Sequence, residues 1–342
     1  RLVERLAASP HNHTLAEERQ PEPVISLDRQ QFLTPDRSGL PDLSEYARLV
    51  TPTGQTLTVG YTEASRGCKY LCRHCPIVPV YGGRFRVVQG DVVLADVRQQ
   101  VKAGAQHITF GDPDFFNGPG HALAIVQALH AEFPALTYDV TIKIEHLLKH
   151  RRWLPVLRDT GCLFVTSAVE AVDDRVLAIF DKRHTRADFA AAVGLLREQR
   201  LNFQPTFVAF NPWLSLDGYL DLLQTIADLD LIDNVPPIQY AIRLLIPAGS
   251  KLLELPEAQS VIEPFDQIAL AYPWTHPDPR VDQLQTAIFN LIAEAQAAGL
   301  SRGEIFDRVW AAACAAAGID RPAPSVDRAS TPIPHLSEAW YC

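Results

Sequence analysis

From Leu57 onward the chain alternates short apolar runs of strand length with longer amphipathic stretches of helical period. This is the pattern of consecutive βα units feeding a parallel sheet. The runs predict strands over Thr56–Thr62, His107–Phe110, Tyr138–Ile144, Leu163–Val169, Phe203–Phe210 and Gln239–Ile246. The stretches between them predict helices over Val92–Ala103, Gly120–Phe133, His146–Thr160, Thr185–Arg200 and Ser215–Leu229. Asp91 and Ser215 stand in N-cap regions, and Gly104 and Gly161 where helices stop. The fold class is α/β, and the pattern by itself leaves open a partial barrel, a full barrel and a doubly wound sheet.

The flanks read differently. Residues 1–55 are a lead-in broken by Pro10, Pro21, Pro23, Pro35 and Pro41, with one short apolar period at Leu2, Val3 and Leu6. The repeating βα region spans 56–247. A C-terminal helical extension covers 248–319, where a proline-studded connection leads to helices over Val281–Ala298 and Arg302–Ala317. Residues 320–342, with Pro322, Pro324, Pro332 and Pro334, are an extended tail ending in Trp340-Tyr341-Cys342.

Between the first predicted strand and the first helix lies Glu63–Arg86, EASRGCKYLCRHCPIVPVYGGRFR, which holds Cys68, Cys72 and Cys75, three of the chain's six cysteines. Gly67, Pro76, Pro79 and Gly82-Gly83 bar a regular helix or strand there, so the segment is a loop folded around a sulfur-binding group. A cuboidal iron–sulfur cluster takes four thiolates. A CX3CX2C triplet would anchor three irons and leave the fourth open for chemistry. Cys68, Cys72, Cys75 and a histidine such as His74 or His107 could instead hold zinc.

The CX3CX2C spacing at Cys68, Cys72 and Cys75 resembles the radical S-adenosylmethionine (SAM) superfamily. The residue before the third cysteine is His74 where that family usually has an aromatic residue. The resemblance implies a partial (β/α)6 TIM-like barrel, a [4Fe-4S] cluster and SAM as cofactors, and an external electron donor such as flavodoxin or ferredoxin. It places the ligand site at the carboxyl ends of the strands, as parallel α/β folds do generally. There it implies that Gly111 and Asp112, in a Gly-Asp-Pro-Asp segment, receive the SAM amino group, with a polar βα turn as the alternative. Ser167 and Glu170 end the fourth strand and Lys182 precedes the next helix start, and the resemblance implies that they meet SAM or the substrate, with Glu170 the candidate for the ribose hydroxyls; a solvated Glu170–Lys182 ion pair is the alternative. Arg243, a charge inside an apolar run, needs a partner, which a SAM carboxylate or an internal acid would supply. Lys143 poses the same question more weakly. The lone His107, His121 and His146 show no ligand spacing and read as surface or core residues.

Composition narrows the partners. With 31 basic against 40 acidic side chains the formal net charge is −9, which argues against a general nucleic-acid or anionic-membrane binder and for a small-molecule acceptor. No apolar run approaches the ~20 residues of a membrane span. The clustered cysteines, with Cys162, Cys314 and Cys342 scattered, fit a reducing compartment, with cytoplasm the default. The first residue is Arg1 and methionine is absent throughout, so there is no basis for judging a targeting segment.

The tail resembles that of radical SAM proteins with a Cys-Cys or Cys-selenocysteine terminus, associated with biosynthesis of the arsenical natural product arsinothricin. That resemblance implies transfer of the 3-amino-3-carboxypropyl group of SAM to trivalent arsenic, with arsenite as acceptor and Cys342 as its thiolate ligand. A conventional 5′-deoxyadenosyl-radical reaction on a small molecule or peptide, and a non-catalytic metal-binding role, remain open at this point.

Overall fold

The computed structural model describes residues 29–324 and 333–337. Its main sheet has seven strands in the order β8-β7-β6-β5-β2-β1-β9. They are β1 Arg48–Val50, β2 Thr56–Thr62, β5 His107–Phe110, β6 Thr137–Thr141, β7 Cys162–Glu170, β8 Asn202–Phe207 and β9 His335–Leu336. A separate hairpin pairs β3, Ser65–Gly67, with β4, Phe85–Val87. β2, β5, β6, β7 and β8 are parallel neighbours joined by crossover helices, so the sheet curls into a partial barrel. β1 and β9 add an antiparallel margin to β2 at its start.

The strands alternate as two-sided strands must. Ile108, Phe110, Tyr138, Val140, Val165 and Phe203 are buried against the helical layer. On the other face His107, Thr109, Asp139, Thr141, Thr166 and Thr206 line the concave side. The four threonines in that row are partly exposed, whereas His107 and Asp139 are buried. There His107 Nε2 lies 2.9 Å from Asp139 Oδ1, which also accepts from Thr109 Oγ1 at 2.7 Å. The helices Pro279–Ala297 and Arg302–Ala317 share the main core through Ile288, Ile292, Phe306 and Trp310.

Five predicted strands are present within a few residues of their expected bounds, but the sixth is not. Pro236 and Pro237 start a 3-10 turn over Pro237–Tyr240 in place of Gln239–Ile246. Only a single bridge, Phe210 with Arg243, continues the barrel direction. The Gln239 side chain stands in for the absent strand by accepting from Phe207 N at 2.7 Å. The helix expected over His146–Thr160 is broken into Ile144–Lys149, a 3-10 turn and Leu154–Asp159. Pro155 explains the break, since it has no N–H to give and crowds the preceding turn. The N-cap of the helix Gly90–Lys102 is Gln89, with Asp91 in its first turn; Ser215 caps as expected, accepting from Gly218 N. The short helix expected near Leu2–Leu6 lies outside the described residues.

Replacing Gln239 with Leu leaves the buried Phe207 N–H without its acceptor. The expected loss of stability is about 1–3 kcal/mol, read as a lower midpoint in urea unfolding with an unchanged slope.

Candidate active site at the cysteine loop

β3 and β4 form the neck of a loop that carries all three clustered cysteines, with Gly67 facing Phe85 at its mouth. Gly67 has φ of +78°, and a Cβ there would stand 2.4 Å from Tyr81 Cδ1 and 2.5 Å from Arg84 O, so only glycine fits. Inside the loop a short helix, Ile77–Tyr81, is ended by Gly82 in the left-handed conformation.

The loop is pinned from one barrel strand to the next. After β5, Asp112 accepts from Ala64 N at 2.8 Å and Ser65 Oγ at 2.6 Å. Asn117 receives Lys69 N at 3.4 Å, faces Cys68 Sγ at 3.8 Å, and donates to Gly67 O. After β6, His146 Nε2 meets Tyr70 Oη at 2.8 Å, while its Nδ1 lies 2.7 Å from Asp114 Oδ2; both His146 and Asp114 are fully buried. After β7, Phe180 O accepts from Arg73 N at 2.9 Å, and Ser250 Oγ donates to Arg73 O. The loop therefore lies across the carboxyl ends of β5, β6 and β7.

Cys68, Cys72 and Cys75 are free thiols, and Cys72 is buried. Burial pushes the Cys75 thiol up to about 12 and raises Cys68 as well. A metal group seated here must displace their protons, as thiolate ligation requires. Among the described residues no three His, Cys, Asp or Glu side chains converge on a point that one ion could fill. A zinc ion would need four ligands meeting at ~2.0–2.3 Å. A cuboidal cluster spreads its thiolates over separate irons, and three free thiols on one pinned loop fit it.

His74 lies against Phe180, ring centroids 4.4 Å apart, and its Nε2 is 3.0 Å from Glu170 Oε1. Lys182 Nζ donates to the same oxygen at 3.1 Å. This ion pair is buried, with side-chain exposures of 5% and 8%, so the solvated-pair reading is corrected. Burial alone would raise the Glu170 carboxyl; the Lys182 ammonium and His74 outweigh it and hold it at about 2. Burial works against the Lys182 ammonium too, but Glu170 and the neighbouring Cys72 raise it. Glu170, Asp181 and Arg183 all adopt positive φ without being glycine, and such strained backbone collects at functional sites.

The other expected contacts fare differently. Asp112 has both oxygens engaged by the loop neck and is 2% exposed, so it staples the loop instead of presenting a carboxylate. Burial pushes its carboxyl up to about 7 against those hydrogen bonds. At Gly111 the Tyr61 hydroxyl occupies the place a Cβ would take, 1.8 Å away. Ser167 alternates with Val165 and Val169 onto the helix-packed face, wholly buried, which turns it away from the cysteine loop. Arg243 has its internal acid: Nη1 donates to Asp282 Oδ1 at 2.6 Å, Nη2 donates to Trp274 O, and the guanidinium stacks on the Trp274 ring. Cys342 lies outside the described residues.

Tyr70 and Asn117 were missed by sequence reasoning, Asp114 was noticed only as the end of the Gly-Asp-Pro-Asp segment, and His146 was taken for an ordinary surface or core residue. Their numbers share no spacing, so only the fold brings them together. Lys143 was the one partial signal: its Nζ sits 3.4 Å above the Tyr70 ring and 3.8 Å from Cys72 Sγ.

Residues 62–210 match the Radical SAM superfamily, a stretch that starts at the end of the first barrel strand and takes in the cysteine loop and the four parallel strands that follow. The chain carries a radical SAM domain. It is similar to the hopanoid C-3 methylase of Methylococcus capsulatus, 24% identical over 151 residues, 44% of this chain and 29% of the methylase. It is also similar to the tRNA-2-methylthio-N(6)-dimethylallyladenosine synthase of Klebsiella pneumoniae, 23% identical over 252 residues, 70% of this chain and 52% of the synthase. The chain thus spans about half, or less, of the length of these relatives. The fold is shared with the cobalamin-dependent S-adenosylmethionine radical enzyme OxsB, at a TM-score of 0.56 and 15% identity, covering 66% of this chain and 40% of that one. It is shared too with the radical S-adenosylmethionine methyltransferase TsrM of Kitasatospora setae with cobalamin and a [4Fe-4S] cluster bound, at a TM-score of 0.51 and 15% identity, covering 75% and 61%. Among the described residues no helix is long and apolar enough to cross a membrane.

Two outcomes test the site's electrostatics. Lys182→Met strands a buried carboxylate, and the expected loss is about 3–5 kcal/mol in denaturant unfolding. Burial and the Lys182 charge lower the His184 imidazole from 6.5 to about 4. Because the folded value lies below the unfolded one, the unfolded state takes the proton first. Stability is therefore full above about 6.5 and falls as pH drops toward about 4. His184→Asn should flatten that part of a stability-against-pH curve.

Proposed function

We propose that this chain reductively cleaves SAM at a [4Fe-4S] cluster held by Cys68, Cys72 and Cys75. The observation that carries this reading is the cysteine loop itself, pinned across the carboxyl ends of three parallel strands with its thiols free. Bound there with one iron open to SAM, the cluster supplies the electron for breaking a C–S bond of the sulfonium. The protein orients SAM and keeps water out. Glu170 suits the ribose hydroxyls, since His74 and Lys182 engage only Oε1 and among the described residues Oε2 accepts no hydrogen bond. A carboxylate that stays ionised can accept from hydroxyls. Lys182 keeps Glu170 charged in place of contacting SAM. The electron comes from an external donor such as a flavodoxin or ferredoxin, and the acceptor is a small molecule.

Which bond breaks, and for what acceptor, is a finer reading. Transfer of the 3-amino-3-carboxypropyl group to trivalent arsenic draws support from the course of the chain at β9. β9 pairs antiparallel with β1, which pairs antiparallel with β2, so β9 runs toward the end of β2 that carries the cysteine loop. Ser337 donates its N–H to Arg48 O, level with Thr58, and Cys342 follows five residues later. A soft thiolate such as that of Cys342 could hold a thiophilic acceptor. An apolar groove of about 600 Å³ beside Leu336, Val59 and Tyr61 runs along the same edge.

Anaerobically reconstituted protein is expected to show a four-iron absorption band that SAM perturbs. Cys68→Ala, Cys72→Ala and Cys75→Ala should each abolish the band, and a band that survives all three would end the reading. Mass analysis after incubation with SAM and reductant, with and without arsenite, separates the finer readings. 5′-Methylthioadenosine formed with arsenite supports aminocarboxypropyl transfer, whereas 5′-deoxyadenosine alone assigns the chain to conventional chemistry.

A further inference from the structure

Lys143 lies in the turn after β6, and its side chain is only 8% exposed. A buried ammonium requires compensation, because removing it from water costs several kcal/mol. The nearest formal partner, Glu145 Oε2, is 3.8 Å away, beyond hydrogen-bond reach, on a side chain that is 29% exposed. Lys143 instead points into the cysteine loop. Its Nζ stands 3.4 Å over the face of Tyr70 and 3.8 Å from Cys72 Sγ. The ring beneath it is fixed in turn by the buried line from Tyr70 through His146 to Asp114. Lys69 and Arg183 approach the same ring from 5.7 and 5.6 Å, and the nearby Asp114 accepts from the Lys143 backbone N–H at 3.4 Å and faces His146, not the ammonium. The arrangement is a positive charge held on an aromatic platform, with a cysteine sulfur as its remaining partner.

Resting on the cluster assignment above, we propose that Lys143 tunes the reduction potential of the cluster, its ammonium donating to the Cys72 thiolate, with Tyr70, His146 and Asp114 as positioning residues. Hydrogen bonds to cluster sulfurs and nearby charge are established determinants of such potentials. Reduction adds one negative charge to the cluster. A fixed cation beside one thiolate stabilises the reduced state more than the oxidised one, and so raises the potential.

The test is a redox titration followed by electron paramagnetic resonance on reconstituted full-length protein, first without SAM, comparing the parent with Lys143→Gln and Lys143→Arg. Iron and sulfide content and the four-iron absorption band report whether each variant holds its cluster. The expected result is an unchanged iron content, a midpoint shifted to more negative potential in Lys143→Gln, and recovery of most of that shift in Lys143→Arg. The spectrum of reduced Lys143→Gln should also change shape, which loss of fold stability alone would not produce. A SAM-free midpoint in Lys143→Gln equal to the parent's overturns the proposal. If in that case SAM binding is weakened, Lys143 belongs to the SAM carboxylate instead. Should Lys143→Gln fail to assemble a cluster, Lys143→Arg decides: a parental midpoint and spectrum support the proposal, and a cluster-free Lys143→Arg overturns it in favour of a purely structural role. Absence of a four-iron cluster from the parent protein would be a failure of the cluster assignment, distinct from these outcomes.

Discussion

The structure depends on holding a polar, cysteine-bearing loop against the end of a low-dielectric barrel without leaving its charges unpaired. Each barrel strand that ends beneath the loop contributes one anchor. Asp112 takes the neck, the His146–Asp114 pair takes Tyr70, and Phe180 takes the Arg73 amide. Charges buried on this surface come in compensated sets. Glu170 is shared between Lys182 and His74, and Lys143 is set on Tyr70 beside Cys72. Removing one member leaves the other charged and dry, which costs more than the pair contributes.

Left-handed backbone lies nearby: Asp181 closes the helix Asp174–Ile179 in the manner of a helix C-terminus, and Glu170 and Arg183 also take positive φ. Along β7 plain alternation sends Ser167 into the helix layer with Val165 and gives Thr166 and Glu170 the other face, and the register shift between Ala168 and Glu170 falls where Glu170 meets His74.

Below the loop the barrel is closed by economical means. β1 and β9 cover the start of β2, and Leu49, Val59 and Phe164 form a small apolar floor. Above that floor the concave face is hydroxylic and acidic, with Asp139 held by His107 and Thr109. Where a sixth parallel strand was expected, proline-started turns and the Gln239 amide complete the wall.

Much was legible in the residues alone. Hydrophobic period located five parallel strands and most crossover helices, because burial on one face imposes its own spacing. The spacing of Cys68, Cys72 and Cys75 marked out the loop to which the proposed cluster is assigned, since three thiols so close have few other uses. Tertiary structure alone decided which polar residues meet it. Tyr70, Asp114 and His146 come together through the curl of the sheet, and no local pattern records a contact made between separate βα units. Likewise Arg243 found an internal acid in Asp282, and Asp112 became a staple, because a buried charge binds whichever partner folding brings near. Sequence determines which groups need partners; only the packed chain determines who those partners are.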